Sequence, residues 1–235
     1  MIKAYHRVSS NTAYETILGI GAILPAAWRM HADQALYMCE EELENSEQQP
    51  ESRRGVDRLL HEQIREISEL QKREGLNLLK TQSTMLSCLD LIAGDFMNVF
   101  LSPGGFTNAT IARGWPLSGF AFDAEDLIRR GAEYRPRDFL SQYRGAVSGT
   151  LRSGLDEDRA YAAARASLDI AKAGTLTGDE ALKALAIFEG PEHDPTGYKK
   201  YDWPSDAEVV WRGPLPIDLA VELWVGGKIL ETRVA

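Results

Sequence analysis

Cysteine is scarce in this sequence. Cys39 and Cys88 are the only two among 235 residues, too few for a disulfide framework or a cysteine-rich metal site. Histidine is scarce as well. His6, His31, His61 and His193 are scattered, without the i, i+4 spacing of a helical zinc site, so no metal is expected. No apolar run reaches the roughly 18 residues that a membrane-spanning helix needs, and the opening MIKAYHRVSS lacks the apolar core of a secretory signal. The expectation is a cytoplasmic protein with reduced thiols and no membrane partner, a description that a toxin delivered by a dedicated machine also fits. A G-x-G-x-x-G loop, a P-loop and a G-x-S-x-G elbow are all missing, which leaves dinucleotide-binding, P-loop and α/β-hydrolase readings without a motif.

Net positive charge is missing too. The formal net charge is −9, which argues against a surface built mainly to coat nucleic acid, where affinity comes largely from neutralising phosphates. The charge is unevenly spread. Residues 40 to 51, EEELENSEQQPE, are strongly acidic, whereas Arg129, Arg130, Arg135, Arg137, Arg144 and Arg152 make a locally basic stretch. That stretch is either a solvated face or a surface for a polyanion.

What is present reads as strands at both ends and in the middle, separated by helical blocks. IKAYHRV at 2–8 is β-compatible, with Ile2, Ala4 and Val8 able to share a face. Ser9, Ser10 and Asn11 offer capping oxygens to a helix near 12–20, closed by Gly19 and Gly21. An acidic helix is expected at about 32–44. A longer one follows NSEQQPESRRG, because Val56, Leu59, Leu60, Ile64, Ile67 and Leu70 recur at three- and four-residue steps. Another helix is expected around 76–94. NVFLS at 98–102 reads as a strand. SGFAFDAEDLIRRG reads as a strand over 118–122, an Asp123 cap and a helix stopping at Gly131. Residues 136–189 read as mainly helical, and SDAEVVWRGPLPIDLAVELWV at 205–225 as strand, turn and strand. Such segregation favours an α+β domain, with the first and last strands as neighbours in one sheet.

Few residues stand out as carriers of chemistry, and each has an ordinary reading. His6 is read blandly as a histidine satisfied by a backbone carbonyl at a sheet edge. Ser102, where NVFLS meets the glycines, is read as a turn residue, and Glu208 as solvated punctuation before a strand. Trp115, Phe120 and Trp211 can stack on a planar ligand or fill the core.

Their order along the chain is more informative. AYHRV, then NTAYETILGIGAILPA, then a middle strand ending in a small polar residue, GFAFDAEDLI, and finally DAEVVWRGPLPIDLAVELWV form a succession that resembles the ADP-ribosyltransferase superfamily. The resemblance covers roughly residues 1–28, 97–133 and 200–230. It is to a divergent member of the histidine- and glutamate-containing type. It implies one domain over 1–235 with a central split β-sheet, the helical blocks at about 31–95 and 136–190 being insertions. The family's middle position is a tyrosine in its histidine–tyrosine–glutamate group and lies on a serine-containing strand in its arginine–serine–glutamate group. His6 points to the first group and Ser102 to the second.

The resemblance implies a mono-ADP-ribosyltransferase that moves ADP-ribose from NAD to a protein or nucleic-acid acceptor. Glu208 would be the catalytic carboxylate. Asp206, where many members carry Glu or Gln, would contact or deprotonate the incoming nucleophile. His6 would contact a ribose of NAD, Ser102 would stand at the middle position, and Arg7 or Arg113 would pair with the pyrophosphate. This arrangement requires His6 and Glu208 to face one cleft. Two other functions stay open on the sequence: an RNA 2′-phosphotransferase-like or NAD glycohydrolase activity on the same fold, and a non-catalytic protein that binds a partner through the helical block at 31–95.

Overall fold

The computed structural model describes residues 2–8, 10–44, 49–75, 95–103, 118–136, 139–187 and 207–232. The fold is mixed α and β, with a mostly antiparallel seven-stranded sheet and seven helices among these residues. The chain divides into two compact units. One comprises Met1–Leu24, Val99–Asp138 and Thr175–Ala235, and the other Pro25–Asn98 and Phe139–Gly174. The block expected at about 31–95 and most of that expected at 136–190 thus fall in one helical unit, whereas the residues from Thr175 on belong with the sheet.

The first unit holds the sheet. Its strands are β1 (Lys3–Val8), β3 (Asn98–Pro103), β4 (Ser118–Asp123), β5 (Glu133–Arg135), β6 (Glu208–Arg212), β8 (Ala220–Val225) and β9 (Lys228–Thr232), in the spatial order β5-β6-β3-β1-β4-β8-β9. The short strands β2 (Ala22–Ile23) and β7 (Leu215–Pro216) pair antiparallel beside it. The first strand is thus central, flanked by β3 and β4, and not beside a terminal strand as expected. Three strands escaped the sequence reading, among them the two-residue β2. β5 is three residues long, and all five residues of β9 are exposed, so neither shows the alternation that marks a half-buried strand. The β8–β9 hairpin turns through Gly226 and Gly227, whose φ values of 58° and 80° lie in the left-handed region that only glycine enters without cost.

Strand alternation sorts the side chains. Ala4 and Val8 of β1, Val99 and Leu101 of β3, Phe120 and Phe122 of β4, Val209 of β6 and Leu223 of β8 lie in one core. Helices α1 (Asn11–Ile20), α4 (Ala124–Arg129) and α7 (Gly178–Ala186) cover that core with Tyr14, Leu127, Ile128 and Leu185. Phe120 is fully buried and stacks on Tyr14 with ring centroids 5.0 Å apart, a burial worth about 1.5–3 kcal/mol. The expected caps are in place. Ser10 accepts from the N–H of Ala13, and the Asp123 carboxylate accepts from the N–H groups of Glu125 and Asp126.

The second unit is helical: α2 (Ala32–Glu44), α3 (Pro50–Arg73), α5 (Phe139–Arg152) and α6 (Glu157–Ala173). Val56, Leu59, Leu60, Ile64, Ile67 and Leu70 are buried along α3, as their spacing predicts. They pack with Cys39 of α2, Val147 and Leu151 of α5, and Ala164 and Leu168 of α6. The helix expected at 76–94 lies outside the described residues.

Candidate functional site

The side of the sheet away from the main core is polar, and its composition follows from register. On β1 it carries Lys3, Tyr5 and Arg7, the residues that alternate with the core-facing Ala4 and Val8. Tyr5 pairs across the sheet with Ser102 of β3 and with Ala121 of β4, and directly paired residues share a side. On β6 the core takes Ala207 and Val209, so Glu208 projects the other way. Its cross-strand partner on β5 is Arg135. Arg7, Ser102, Arg135 and Glu208, from four different strands, therefore stand on one side of one sheet.

Contacts support that placement. The Arg135 Nη1 lies 3.9 Å from a Glu208 carboxylate oxygen, with only 11% and 21% of the two side chains exposed. The guanidinium carbon of Arg135 lies 5.7 Å from the centroid of the Phe100 ring on β3. Since β6 runs between β5 and β3, an arginine on β5 that reaches Phe100 must lie across β6. Farther along the same side, Glu222 of β8 is buried, with Lys3 Nζ at 2.6 Å and the Trp224 indole N–H donating to it at 3.0 Å. Tyr5 packs edge-on against Trp224, and burial, helped by the Glu222 charge, pushes its phenol well above the usual range.

His6 is placed differently. It pairs with the core residue Phe120, and alternation puts it on the side opposite Glu208, so the expected one-sided pairing of His6 with Glu208 is not what the register provides. Its Nδ1 lies 3.1 Å from the Phe100 carbonyl oxygen. A carbonyl only accepts, so Nδ1 carries the proton in this contact. The bond has the form of the bland reading, a histidine satisfied by a backbone carbonyl, but β1 is central in the sheet. Among the described residues the ladder between β1 and β3 has two paired positions, Ala4 with Pro103 and Tyr5 with Ser102, whereas β1 and β4 pair over six. The imidazole bridges β1 and β3 just beyond the last of those two pairs.

The other expected site residues divide. Asp206 and Arg113 lie outside the described residues, as do Trp115 and His193. Phe120 belongs to the core rather than to a ligand platform. Trp211 packs against that core and donates its indole N–H to Pro214. In the basic stretch, Arg129 and Arg130 pair with Glu125 and Asp126 of their own helix, which makes that part a solvated, self-neutralised face. Arg135 departs from the stretch by turning into the sheet. The sequence reading missed it as a site residue because the three residues of its strand fell between two expected helices and were assigned to no element. Among the described residues no group of three or more His, Cys, Asp or Glu stands where it could hold a metal ion, and no helix is long and apolar enough to cross a membrane.

Compared with known proteins, the chain matches no family model, no curated protein and no solved structure.

Proposed function

We propose that this chain is a mono-ADP-ribosyltransferase that uses NAD to modify a protein or nucleic-acid acceptor, with its residues arranged in the arginine–serine–glutamate manner. The observation that carries this reading is the presence of Arg7, Ser102 and Glu208 on one side of the sheet, from β1, β3 and β6. The donor set suits the dinucleotide: a guanidinium for the pyrophosphate, a hydroxyl for hydrogen bonding, and a carboxylate for the ribose. NAD supplies a labile bond between nicotinamide and ribose, and positive charge builds on the ribose as that bond breaks, as it does in glycoside cleavage.

Glu208 accepts a hydrogen bond from a ribose hydroxyl and stabilises the adjacent developing cation. A carboxylate fixed at that point favours the transition state over the ground state, which is the condition for acceleration. Arg7 holds the pyrophosphate and so restricts the ribose to the reach of Glu208. Ser102, between Arg7 and Glu208 in strand order, orients the nicotinamide half. His6 keeps β1 and β3 in their relation through the Phe100 carbonyl, a supporting part in place of direct contact with NAD. Asp206, two residues before Glu208, is the candidate base for the acceptor nucleophile. Overall, NAD and the acceptor yield ADP-ribosylated acceptor, nicotinamide and a proton.

The test is incubation of the full chain with labelled NAD and candidate proteins, nucleic acids and small molecules. Wild type is expected to release nicotinamide and move label to an acceptor, and Glu208→Ala to do neither. Equal, background-level release by both proteins with no label moved would sink the reading and leave the non-catalytic alternative. Free ADP-ribose as sole product would mark a glycohydrolase, and cyclic ADP-ribose phosphate a phosphotransferase.

A further inference from the structure

We infer that Arg135 is a positioning residue for Glu208, holding the carboxylate ionised and aimed from the neighbouring strand. This rests on the transferase reading above. Three observations carry it. Arg135 and Glu208 are direct cross-strand partners. Their charged groups stand 3.9 Å apart with little solvent between them and bulk water, where an ionic attraction is screened far less than at the surface. The Arg135 guanidinium also lies 5.7 Å from the Phe100 ring, and a planar cation held against an aromatic face keeps a defined orientation.

At 3.9 Å this contact is longer than a hydrogen bond. It therefore acts on the carboxylate by charge. The other charged groups on this side toward Glu208 are Glu133 of β5, Arg212 of β6 and, two strands away, Arg7 of β1, while β3 contributes Asn98, Phe100 and Ser102. Arg212 is exposed, and Glu133 has the wrong sign to hold a carboxylate. Arg7 is assigned to the pyrophosphate, so among the described residues Arg135 is the half-buried cation on the strand adjacent to Glu208. The helices α1, α4 and α7 pack against the opposite side of the sheet.

The experiment uses Arg135→Gln and Arg135→Lys in the full chain, with two readouts. One is the titration of the Glu208 side-chain carboxyl by carbon-detected NMR, its signal identified by loss in Glu208→Gln. The other is kcat and KM for nicotinamide release from NAD. Arg135→Gln is expected to raise the Glu208 midpoint and to lower kcat by about tenfold or more, with KM within about threefold, since misdirecting a catalytic group costs mainly the chemical step. Arg135→Lys keeps the charge and is expected to restore the midpoint and most of kcat. It is also the variant that decides if Arg135→Gln does not fold. An unchanged midpoint in folded Arg135→Gln, or a loss confined to KM, overturns the inference. A raised midpoint in a protein whose wild type releases no nicotinamide upholds the hold of Arg135 on Glu208 and refutes the transferase reading.

Discussion

Gly55→Ala is expected to destabilise the helical unit, although alanine is the better helix former. Gly55 lies in α3 against α6, and a Cβ there would stand 2.4 Å from the Glu157 carbonyl oxygen, 2.6 Å from the Tyr161 nitrogen and 2.7 Å from the Ala160 Cβ. Two of those three atoms are backbone, so no side chain can swing away. Non-bonded carbon contacts are favourable at about 3.5–4.0 Å, so the two helices must separate locally by about 1 Å. Overpacking of this kind costs about 1–3 kcal/mol, and a gap of 0.5–1 Å forfeits about a quarter to a half of each contact along the seam. The gain in helix propensity returns only about 1 kcal/mol. Overpacking less the propensity gain leaves a cost of up to about 2 kcal/mol, to which the forfeited seam contacts add, and each kcal/mol lowers Tm by about 2–4 °C in a chain of this size. Gly145 and Gly149 supply the control. Both lie on the exposed side of α5 with nothing within 4 Å of an added Cβ, so alanine at either should stabilise by about 0.5–1 kcal/mol. Urea unfolding followed by far-UV circular dichroism compares the three variants. A Gly55→Ala protein as stable as wild type, alongside stabilised Gly145→Ala and Gly149→Ala, would refute the close helix contact.

Three further outcomes follow from buried polar groups. The Gln71 side chain donates to the carbonyls of Ala27 and Met30 and accepts from the N–H of Ala32. Gln71→Ala should therefore cost about 1–3 kcal/mol in urea unfolding, the penalty for stranding partly buried polar groups, and no loss would show that water replaces the amide. Lys3→Met leaves the buried Glu222 carboxylate without its ammonium partner, so it should destabilise more than the double change Lys3→Met with Glu222→Leu, since removing both charges spares the desolvation cost; the order of the two melting temperatures decides this. Tyr5 and Tyr134 titrate above the ordinary phenol value of 10.0, first because both are buried. A pKa raised by folding means that the folded state holds the proton more tightly, so this stability is fully present below pH 10 and is lost as pH rises beyond it. Urea midpoints should therefore fall above pH 10 more steeply in wild type than in Tyr5→Phe, and parallel curves would contradict the burial of that phenol.

The proposed site shows how far strand alternation reads without a fold. His6 and Arg7 are adjacent, so they must project to opposite sides of any strand they share. The residues alone do not say which of them shares a side with Glu208, some two hundred positions later. That depends on β3 lying between β1 and β6, and on which sides of the three strands bury their apolar residues. Arg135 was less accessible still, since a three-residue strand between Gly131 and a helix has too few positions to display a period. Its pairing with Glu208 exists only through β5 and β6 being neighbours in space.

Local physics was written in the chain. Ser10 and Asp123 cap their helices because a short oxygen-bearing side chain satisfies N–H groups within a few residues of itself. The six apolar residues of α3 form its buried stripe because 3.6 residues make a turn. Ile2, Ala4 and Val8 share a core-facing side because alternation needs only the strand itself. The tertiary structure decided what such short-range rules cannot reach: that β1 is central, that helices from two distant stretches combine into one unit, and that Arg7 rather than His6 stands with Ser102 and Glu208. The physical reason is range. Caps, periods and alternation act over a few residues, whereas neighbours in a sheet are chosen by hydrogen bonds and burial among segments that the sequence keeps far apart.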